Sequence, residues 1–319
     1  MIPRIRIAHL PTAVEPMLRL ARLLHGPRLW IKRDDQTGLA TGGNKTRKLE
    51  FVLAEAQSYG AQTLITTGAA QSNHCRQTAA LAARFGLRCI LVLSGDASQP
   101  ADGNLLLDRL FGAQIVWTTR AERDAKLKET FDASWAAGQR PYLIPLGAST
   151  ATGAVGYAYA FDELMKQEID PDWIIIASAS AGTQAGLVLG ARRAGWHGKI
   201  LGISIHHGAI ELQAHVASLA SEASERFGEK IYVAPAEILV NDNYLGEGYG
   251  MLGAAEIEAI RLFAEYEGLL LDPVYTGRAA AGLIDLIRRG FFKEEETILF
   301  WHTGGIPALF AQPYAARLG

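Results

Sequence analysis

The sequence predicts an α/β protein with two open, twisted parallel-sheet domains. Short β-branched segments alternate with longer segments of helical periodicity over the middle and end of the chain, and this alternation is typical of strand–helix–strand units. Two of the short segments, residues 90–93 and 173–176, are continuously apolar, as expected for strands that are buried on both faces. Roughly eight or more such strands would overfill one sheet, so we expect two domains.

Taken in order, the predicted strands cover residues 63–67, 89–93, 114–119, 142–145, 173–177, 200–205 and 297–301. Apolar side chains recur at intervals of three and four residues at Leu49, Val52, Leu53 and Ala56, and again over residues 257–263, which predicts helices there. Glycine tolerates the left-handed conformation that follows a helix end. We therefore expect helices to end next to Gly60, Gly86, Gly112, Gly138, Gly195, Gly228, Gly268 and Gly290.

Composition excludes several classes of protein. The chain has 319 residues, of which 49% are apolar and 20% charged, so a mainly disordered chain is excluded. Its 31 basic and 33 acidic residues leave a net charge of −2, without the basic excess typical of nucleic-acid binding. Two cysteines do not make a disulfide framework or a structural zinc site. With no signal-peptide pattern at the start and no apolar run near the ~20 residues of a membrane span, we expect a cytoplasmic protein that acts on a small solute.

The first candidate site is Gly-Gly-Asn-Lys-Thr-Arg-Lys-Leu-Glu at residues 42–50. Two glycines allow a tight turn, Asn44 can cap the helix that follows, and Lys45 would lie in its first turn. The positive potential of a helix N-terminus disfavours an ammonium group, which lowers the pKa of the lysine and favours a nucleophilic amine. The alternative is a solvated basic helix start. The segment lacks the Gly-Lys-Ser/Thr ending of a Walker A loop.

The second candidate is the small-residue loop at residues 180–186, which follows a predicted strand and opens a helix expected over residues 185–195. Backbone N–H groups at such a helix start can bind one phosphate group. The loop does not match Gly-x-Gly-x-x-Gly, so a dinucleotide-dependent dehydrogenase is the weaker interpretation. A turn without a ligand is the structural alternative.

The remaining candidates lie in loops after other predicted strands. Ser72 and Asn73 offer short polar side chains that suit a substrate carboxylate, although helix capping is their common role. Residues 272–277 are expected to end one strand, and Thr303 follows another. A reactive lysine, a phosphate loop and a carboxylate loop together predict a site for pyridoxal phosphate (PLP) and an amino-acid substrate.

The chain also resembles the fold-type II PLP enzymes, and within them the aminocyclopropanecarboxylate (ACC) deaminase / D-cysteine desulfhydrase family. The resemblance spans almost the whole chain and is carried by residues 31–35, 42–50, 71–73, 182–186, 271–275 and 304–309. It implies a tryptophan synthase β-like fold and a homodimer. It also implies a large PLP-binding domain over residues 1–47 and 157–319, with a small inserted domain over 48–156.

The resemblance implies roles for individual residues. Lys45 is similar to the lysine that bonds to the cofactor, and Asn73 to the residue that contacts the cofactor ring hydroxyl. The other implied cofactor-binding residues are Ala181, Gly182, Thr183, Gln184 and Thr303. The implied substrate-binding residues are Ser72, Asn73, His74, Tyr249, Tyr275 and Thr276. Among all of these, catalysis is assigned to Lys45, Ser72, Tyr249 and Tyr275, and no metal is expected.

Two positions favour one activity within the family. ACC deaminases have an acidic residue where this chain has Thr276, and they tend to have an aliphatic residue at Thr303. The threonines resemble the D-cysteine desulfhydrase pattern, which implies α,β-elimination of D-cysteine to pyruvate, hydrogen sulfide and ammonia. L-cysteate sulfo-lyases share Gln-Ser-Asn-His at residues 71–74 and remain an alternative, although the sequence identifies no extra cation for a sulfonate. ACC deaminase and a PLP-binding protein without turnover are further alternatives.

Overall fold

Ten strands form two sheets in the computed structural model, which describes residues 2–312 and 314–319. The strands are β1 (Val14–Pro16), β2 (Arg28–Lys32), β3 (Thr63–Ala69), β4 (Arg88–Ser94), β5 (Gln114–Thr118), β6 (Pro141–Leu143), β7 (Trp173–Ser178), β8 (Lys199–Ser204), β9 (Leu239–Asn241) and β10 (Thr297–Trp301). The larger sheet has the order β1-β2-β10-β7-β8-β9, and the smaller sheet has the order β5-β4-β3-β6. All neighbouring strands are parallel except β1 and β2.

Helices cover the two sheets, as crossover connections between parallel strands require. They are α1 (Leu18–Leu24), α2 (Lys45–Ser58), α3 (Asn73–Arg84), α4 (Gly103–Leu110), α5 (Arg123–Ala136), α6 (Ala151–Leu164), α7 (Gly182–Ala194), α8 (Ala209–Glu225), α9 (Ala254–Glu267), α10 (Thr276–Arg288) and α11 (Tyr314–Leu318). In the described part of the chain, none of them is long and apolar enough to cross a membrane.

The central strands carry the apolar side chains that the sequence analysis identified. In the larger sheet, β10 lies between β2 and β7, so that Phe300 is in register with Ile31 and Ile175, and all three side chains are buried. In the smaller sheet, Leu91 of β4 is likewise completely buried. The prediction of an α/β fold with two parallel sheets is therefore confirmed.

Local patterns placed each predicted strand end within two residues of its position in the structure. Each of the seven predicted strands is present, and all eight helix-ending glycines have a φ angle between 63° and 74°. The analysis missed β2 and the short edge strands β1 and β9, which have only three residues each. Two expectations are wrong: α7 begins at Gly182 and not at residue 185, and Asp272 follows a segment that is not a strand.

A buried charge network fastens α2 to the larger sheet. Arg47 of α2 donates to Asp34 at 2.8 Å and to Glu163 of α6 at 2.9 Å. Asp34 also accepts hydrogen bonds from the Tyr157 hydroxyl at 2.6 Å and from the Trp301 indole at 2.9 Å. Burial opposes ionisation of Asp34, but the charge and hydrogen bonds of Arg47 outweigh it and lower its pKa to about 2. The network therefore holds the start of α2, which carries Lys45, in a defined place.

Candidate active site

One cavity lies where the carboxyl ends of strands from both sheets meet. Loops after β3, β4 and β5 of the smaller sheet and after β7, β8 and β10 of the larger sheet contribute to its wall, together with the start of α2. Ligands of open α/β sheets bind at this edge, because the loops there converge and helix N-termini point toward them. This cavity is therefore the candidate active site.

Lys45 is the first residue of α2 and lines the cavity. The preceding turn brings the chain close to the end of β10: the Asn44 N–H donates to the Thr303 carbonyl at 3.0 Å. The Asn44 side chain does not cap α2, as the sequence analysis expected, but donates to the Thr183 hydroxyl at 3.0 Å. Its amide oxygen accepts from Lys45 Nζ at 3.1 Å. Asn44 thus connects the lysine to the first turn of α7.

The residues around Lys45 favour the neutral form of its amine. Burial, together with the nearby charge of Arg76, lowers the pKa of Lys45 to about 8, and Asp272 opposes this shift. The direction agrees with the sequence analysis, which attributed it to the helix N-terminus. In the structure the main physical cause is burial. A lysine with this pKa has a substantial fraction of neutral, nucleophilic amine near neutral pH.

A second lysine of α2, Lys48, which the sequence analysis did not single out, places its amine next to the start of α7. Lys48 is completely buried and donates to the Gly147 carbonyl at 3.2 Å and to the Ser149 hydroxyl at 3.3 Å. A Cβ placed on Gly182 would lie 2.7 Å from Ser149 Oγ and 2.9 Å from Lys48 Nζ. A larger residue at this position would displace both side chains, so glycine lets these polar groups converge on the N-terminus of the helix.

Lys48 lacks an anionic partner, because no carboxylate of the described residues forms an ion pair with it. Burial, and secondarily the charge of Lys45, lowers the pKa of Lys48 well below its usual value. A buried cation without a counter-ion is costly unless an anion binds beside it. A phosphate group at the N-terminus of α7 would supply that anion.

The start of α3 combines structural and available polar groups. The Ser72 hydroxyl accepts from the Cys75 N–H at 3.2 Å, so Ser72 caps the helix, which was the alternative to carboxylate binding. The Asn73 side chain accepts from Asn104 at 2.9 Å. His74 Nε2 shares a hydrogen bond with the Thr66 hydroxyl at 2.8 Å. Burial lowers the pKa of His74 well below its usual value, so the ring is neutral.

Two tyrosines form another part of the wall. The hydroxyls of Tyr249 and Tyr275 are 2.6 Å apart. Burial raises the pKa of both groups, and their mutual contact raises that of Tyr275 further. Both are protonated at neutral pH and can donate hydrogen bonds.

Thr276, the next residue, does not line the cavity with them. Its hydroxyl donates to the Asp272 carboxylate at 2.8 Å and accepts from the Asp272 N–H at 2.8 Å. The structure therefore does not place Thr276 where a substrate contact was expected, because the start of α10 uses its hydroxyl.

Most of the predicted site residues meet in this cavity. Those that line it are Lys45, Ser72, Asn73, His74, Ala181, Thr183, Gln184, Tyr249, Tyr275 and Thr303. The Gln184 side-chain nitrogen donates to the Leu239 carbonyl at 2.9 Å, which ties this side chain to β9. The wall also contains Ser94, His206, Arg120 and Arg123, none of which belongs to a motif recognised in the sequence.

The geometry fits a phosphorylated aldehyde. A lysine with a lowered pKa lies in the same cavity as neutral hydrogen-bonding side chains, and a buried, unpaired lysine stands at a helix N-terminus. The comparison with protein families agrees with this geometry. A family model described as "Pyridoxal-phosphate dependent enzyme" matches residues 5–304, so the chain belongs to this family and its cofactor is PLP.

Individual proteins and a solved structure show which members of this family the chain is similar to. Proteins described as D-cysteine desulfhydrase from Salmonella choleraesuis (strain SC-B67) and Salmonella typhi are each 43% identical over 318 residues, covering 97% of this chain and 96% of theirs. A solved structure described as an ACC deaminase homologue has a TM-score of 0.90 and 36% identity, covering 99% of this chain and 95% of that one. The predicted family and cofactor are thereby confirmed.

Proposed function

We propose that the protein catalyses the PLP-dependent α,β-elimination of D-cysteine to pyruvate, hydrogen sulfide and ammonia. The observation that carries this proposal is the 43% identity to proteins named D-cysteine desulfhydrase over nearly the full length of both chains. The cavity supports it, because its wall contains a lysine with a lowered pKa and no Asp or Glu side chain in the described part of the chain.

Three parts of the cavity take three roles in this proposal. The N-terminus of α7, with Lys48 and Ser149, holds the cofactor phosphate. Lys45 holds the cofactor aldehyde, and Asn73 faces the cofactor ring. The first turn of α3 holds the substrate carboxylate through its N–H groups, and Ser72 maintains that turn by capping it. When bound, PLP withdraws electrons from the substrate Cα and so makes its proton acidic.

Lys45 Nζ is the group that we assign to removal of the Cα proton. Its pKa of about 8 suits a general base near neutral pH. Tyr249 and Tyr275 are protonated because burial raises the pKa of both. They therefore act as hydrogen-bond donors that orient the substrate and assist the leaving group.

The alternatives differ in what they require of the cavity. ACC deaminase activity was associated with an acidic residue at the position of Thr276. Thr276 is not in the wall, and none of the described wall residues carries a carboxylate that could take the place of that acidic residue. A protein that binds PLP without turnover would not need a lysine with a lowered pKa to accept the substrate proton. A cytoplasmic location, a homodimer and the division at residues 47/48 and 156/157 complete the proposal.

The test combines product analysis with one substitution. Purified protein with PLP is assayed for pyruvate and sulfide from D-cysteine, L-cysteate and ACC. We expect equal amounts of pyruvate and sulfide from D-cysteine and no ring opening of ACC. Lys45→Ala should abolish turnover and also the cofactor label that borohydride fixes to the protein. Lys128→Ala, at a side chain that is 77% exposed, is the control and should retain both.

The proposal fails if D-cysteine gives no pyruvate. It also fails if Lys45→Ala remains fully active, or if the reduced label maps to another lysine.

A further inference from the structure

Two arginines in the cavity wall have no role in the proposed function. Arg120 lies in the loop between β5 and α5, and Arg123 is the first residue of α5. In the described residues no carboxylate pairs with Arg120. Arg123 pairs only with its neighbour Asp124, whose side chain is 84% exposed. Such an exposed ion pair contributes little to stability, so both guanidinium groups are available to a ligand.

Two further polar atoms of the wall also lack partners. Ser94 Oγ, at the end of β4, and His206 Nδ1, after β8, are buried and have no hydrogen-bond partner in the described part of the chain. Buried polar atoms are normally paired, so an unpaired one in a residue of a cavity wall is a candidate contact for a ligand. These atoms and the two arginines belong to the same wall.

The order of the strands in the smaller sheet separates Ser94 and the two arginines from the sites proposed for the cofactor phosphate and the substrate carboxylate. In the smaller sheet, the edge strand β6 precedes Ser149 and the phosphate position, and β3 precedes α3. Toward the other edge, β4 ends at Ser94 and the edge strand β5 precedes the arginines. Burial, followed by the charge of His207 and those of Arg120 and Arg123, lowers the pKa of His206. The His206 ring packs edge-to-face on Tyr249, with ring centroids 5.6 Å apart. The arginines thus lie toward the tyrosine side of the cavity.

We propose that Arg120, Arg123 and Ser94 form a third anion subsite, which receives a negatively charged β-substituent of the amino-acid substrate. The inference rests on the proposed function and names its substrate class. The thiolate of cysteine belongs to that class, and so does the sulfonate of cysteate. Guanidinium groups suit a sulfonate because they offer several N–H donors in one plane.

The reaction balances for both substituents. The Cα proton leaves, the Cβ–S bond breaks, and its electron pair departs with sulfur. One water then supplies the oxygen of pyruvate as ammonia is released. Cysteine plus water gives pyruvate, ammonia and hydrogen sulfide, whereas cysteate plus water gives pyruvate, ammonia and sulfurous acid, which ionises to hydrogensulfite. Neither reaction needs an external oxidant or reductant.

Binding tests the subsite without turnover. The probes are 3-sulfopropanoate and butanoate, two amine-free carboxylates that differ by a sulfonate in place of a methyl group. Calorimetric titration of the PLP-loaded protein should show tighter binding of 3-sulfopropanoate. The double variant Arg120→Gln/Arg123→Gln should weaken it about tenfold, with a smaller effect at high salt, and leave butanoate unchanged. Lys128→Gln, which removes a charge from the same helix outside the wall, is the control.

Turnover separates this inference from the proposed function. We expect the double variant to lower kcat/KM for cysteate about tenfold and to change that for the uncharged substituent of β-chloro-D-alanine by less than about twofold. Equal losses for both probes or both substrates, or no loss at all, would overturn the subsite while elimination chemistry stands. Selective sulfonate binding without turnover of any β-substituted amino acid would instead overturn the proposed function.

Discussion

Replacing Lys48 by methionine should separate phosphate binding from folding. The side chain is completely buried, and its hydrogen bonds of 3.2 and 3.3 Å to Gly147 and Ser149 are long. Methionine fills a similar volume without the charge. A charge-assisted hydrogen bond contributes about 1.5–3 kcal/mol, so its loss should weaken PLP binding about 10- to 150-fold. The cofactor-free variant should be no less stable than the parent, because a buried polar group without an anionic partner is removed.

The assay is an absorbance titration of cofactor-free protein with PLP and with pyridoxal, which lacks the phosphate, together with urea unfolding. We expect weaker binding of PLP, unchanged binding of pyridoxal and an undiminished free energy of unfolding. Lys128→Met is the matched control and should change none of the three. Equal loss of affinity for both ligands, or a fall in stability by more than about 1 kcal/mol, would refute the reasoning, because Lys48 would then be a structural residue.

Two further predictions concern stability. Asp34→Ala leaves the buried Arg47 guanidinium without its nearest carboxylate, and should lower the free energy of unfolding by about 3–5 kcal/mol in urea titrations. The control Asp132→Ala, at an exposed side chain, should change the free energy of unfolding by less than about 0.5 kcal/mol. Similar losses in both variants would contradict the role given to the buried network. The pKa of Lys45 is about 8 in the folded protein and 10.5 when unperturbed. Between these pH values the unfolded cofactor-free chain therefore binds more protons than the folded one. The free energy of unfolding should rise with pH there by up to about 3 kcal/mol. Lys45→Met should flatten that rise in unfolding curves at pH 7.5–10, and an identical rise in both proteins would show that another group titrates.

Features that depend on residues adjacent along the chain could be predicted from the sequence. The apolar runs of β4 and β7 identified buried strands, because each of these segments buries both of its faces whatever its partner. The glycines after the helices adopt positive φ angles because other residues are strained there. The place of Lys45 at the first residue of α2 followed from the preceding Gly-Gly-Asn.

The choice of hydrogen-bond partner could not be predicted in the same way. Asn44 was expected to cap α2 and instead contacts Thr183, which is 139 residues away along the chain. Thr276 was expected at the substrate and instead pairs with Asp272. A short polar side chain has several possible partners within reach, and burial of the competing groups decides among them.

The sequence by itself determined the α/β architecture, the loops after the strands and the place of Lys45 at a helix start, because periodicity, steric limits and a compact motif act over a few residues. Only the tertiary structure decided the electrostatics of the cavity. Lys48 meets Ser149 across about a hundred residues, and Arg120, Ser94 and His206 come from separate loops. The physical reason is that burial and charge depend on which segments pack together, and no local pattern of residues carries that information.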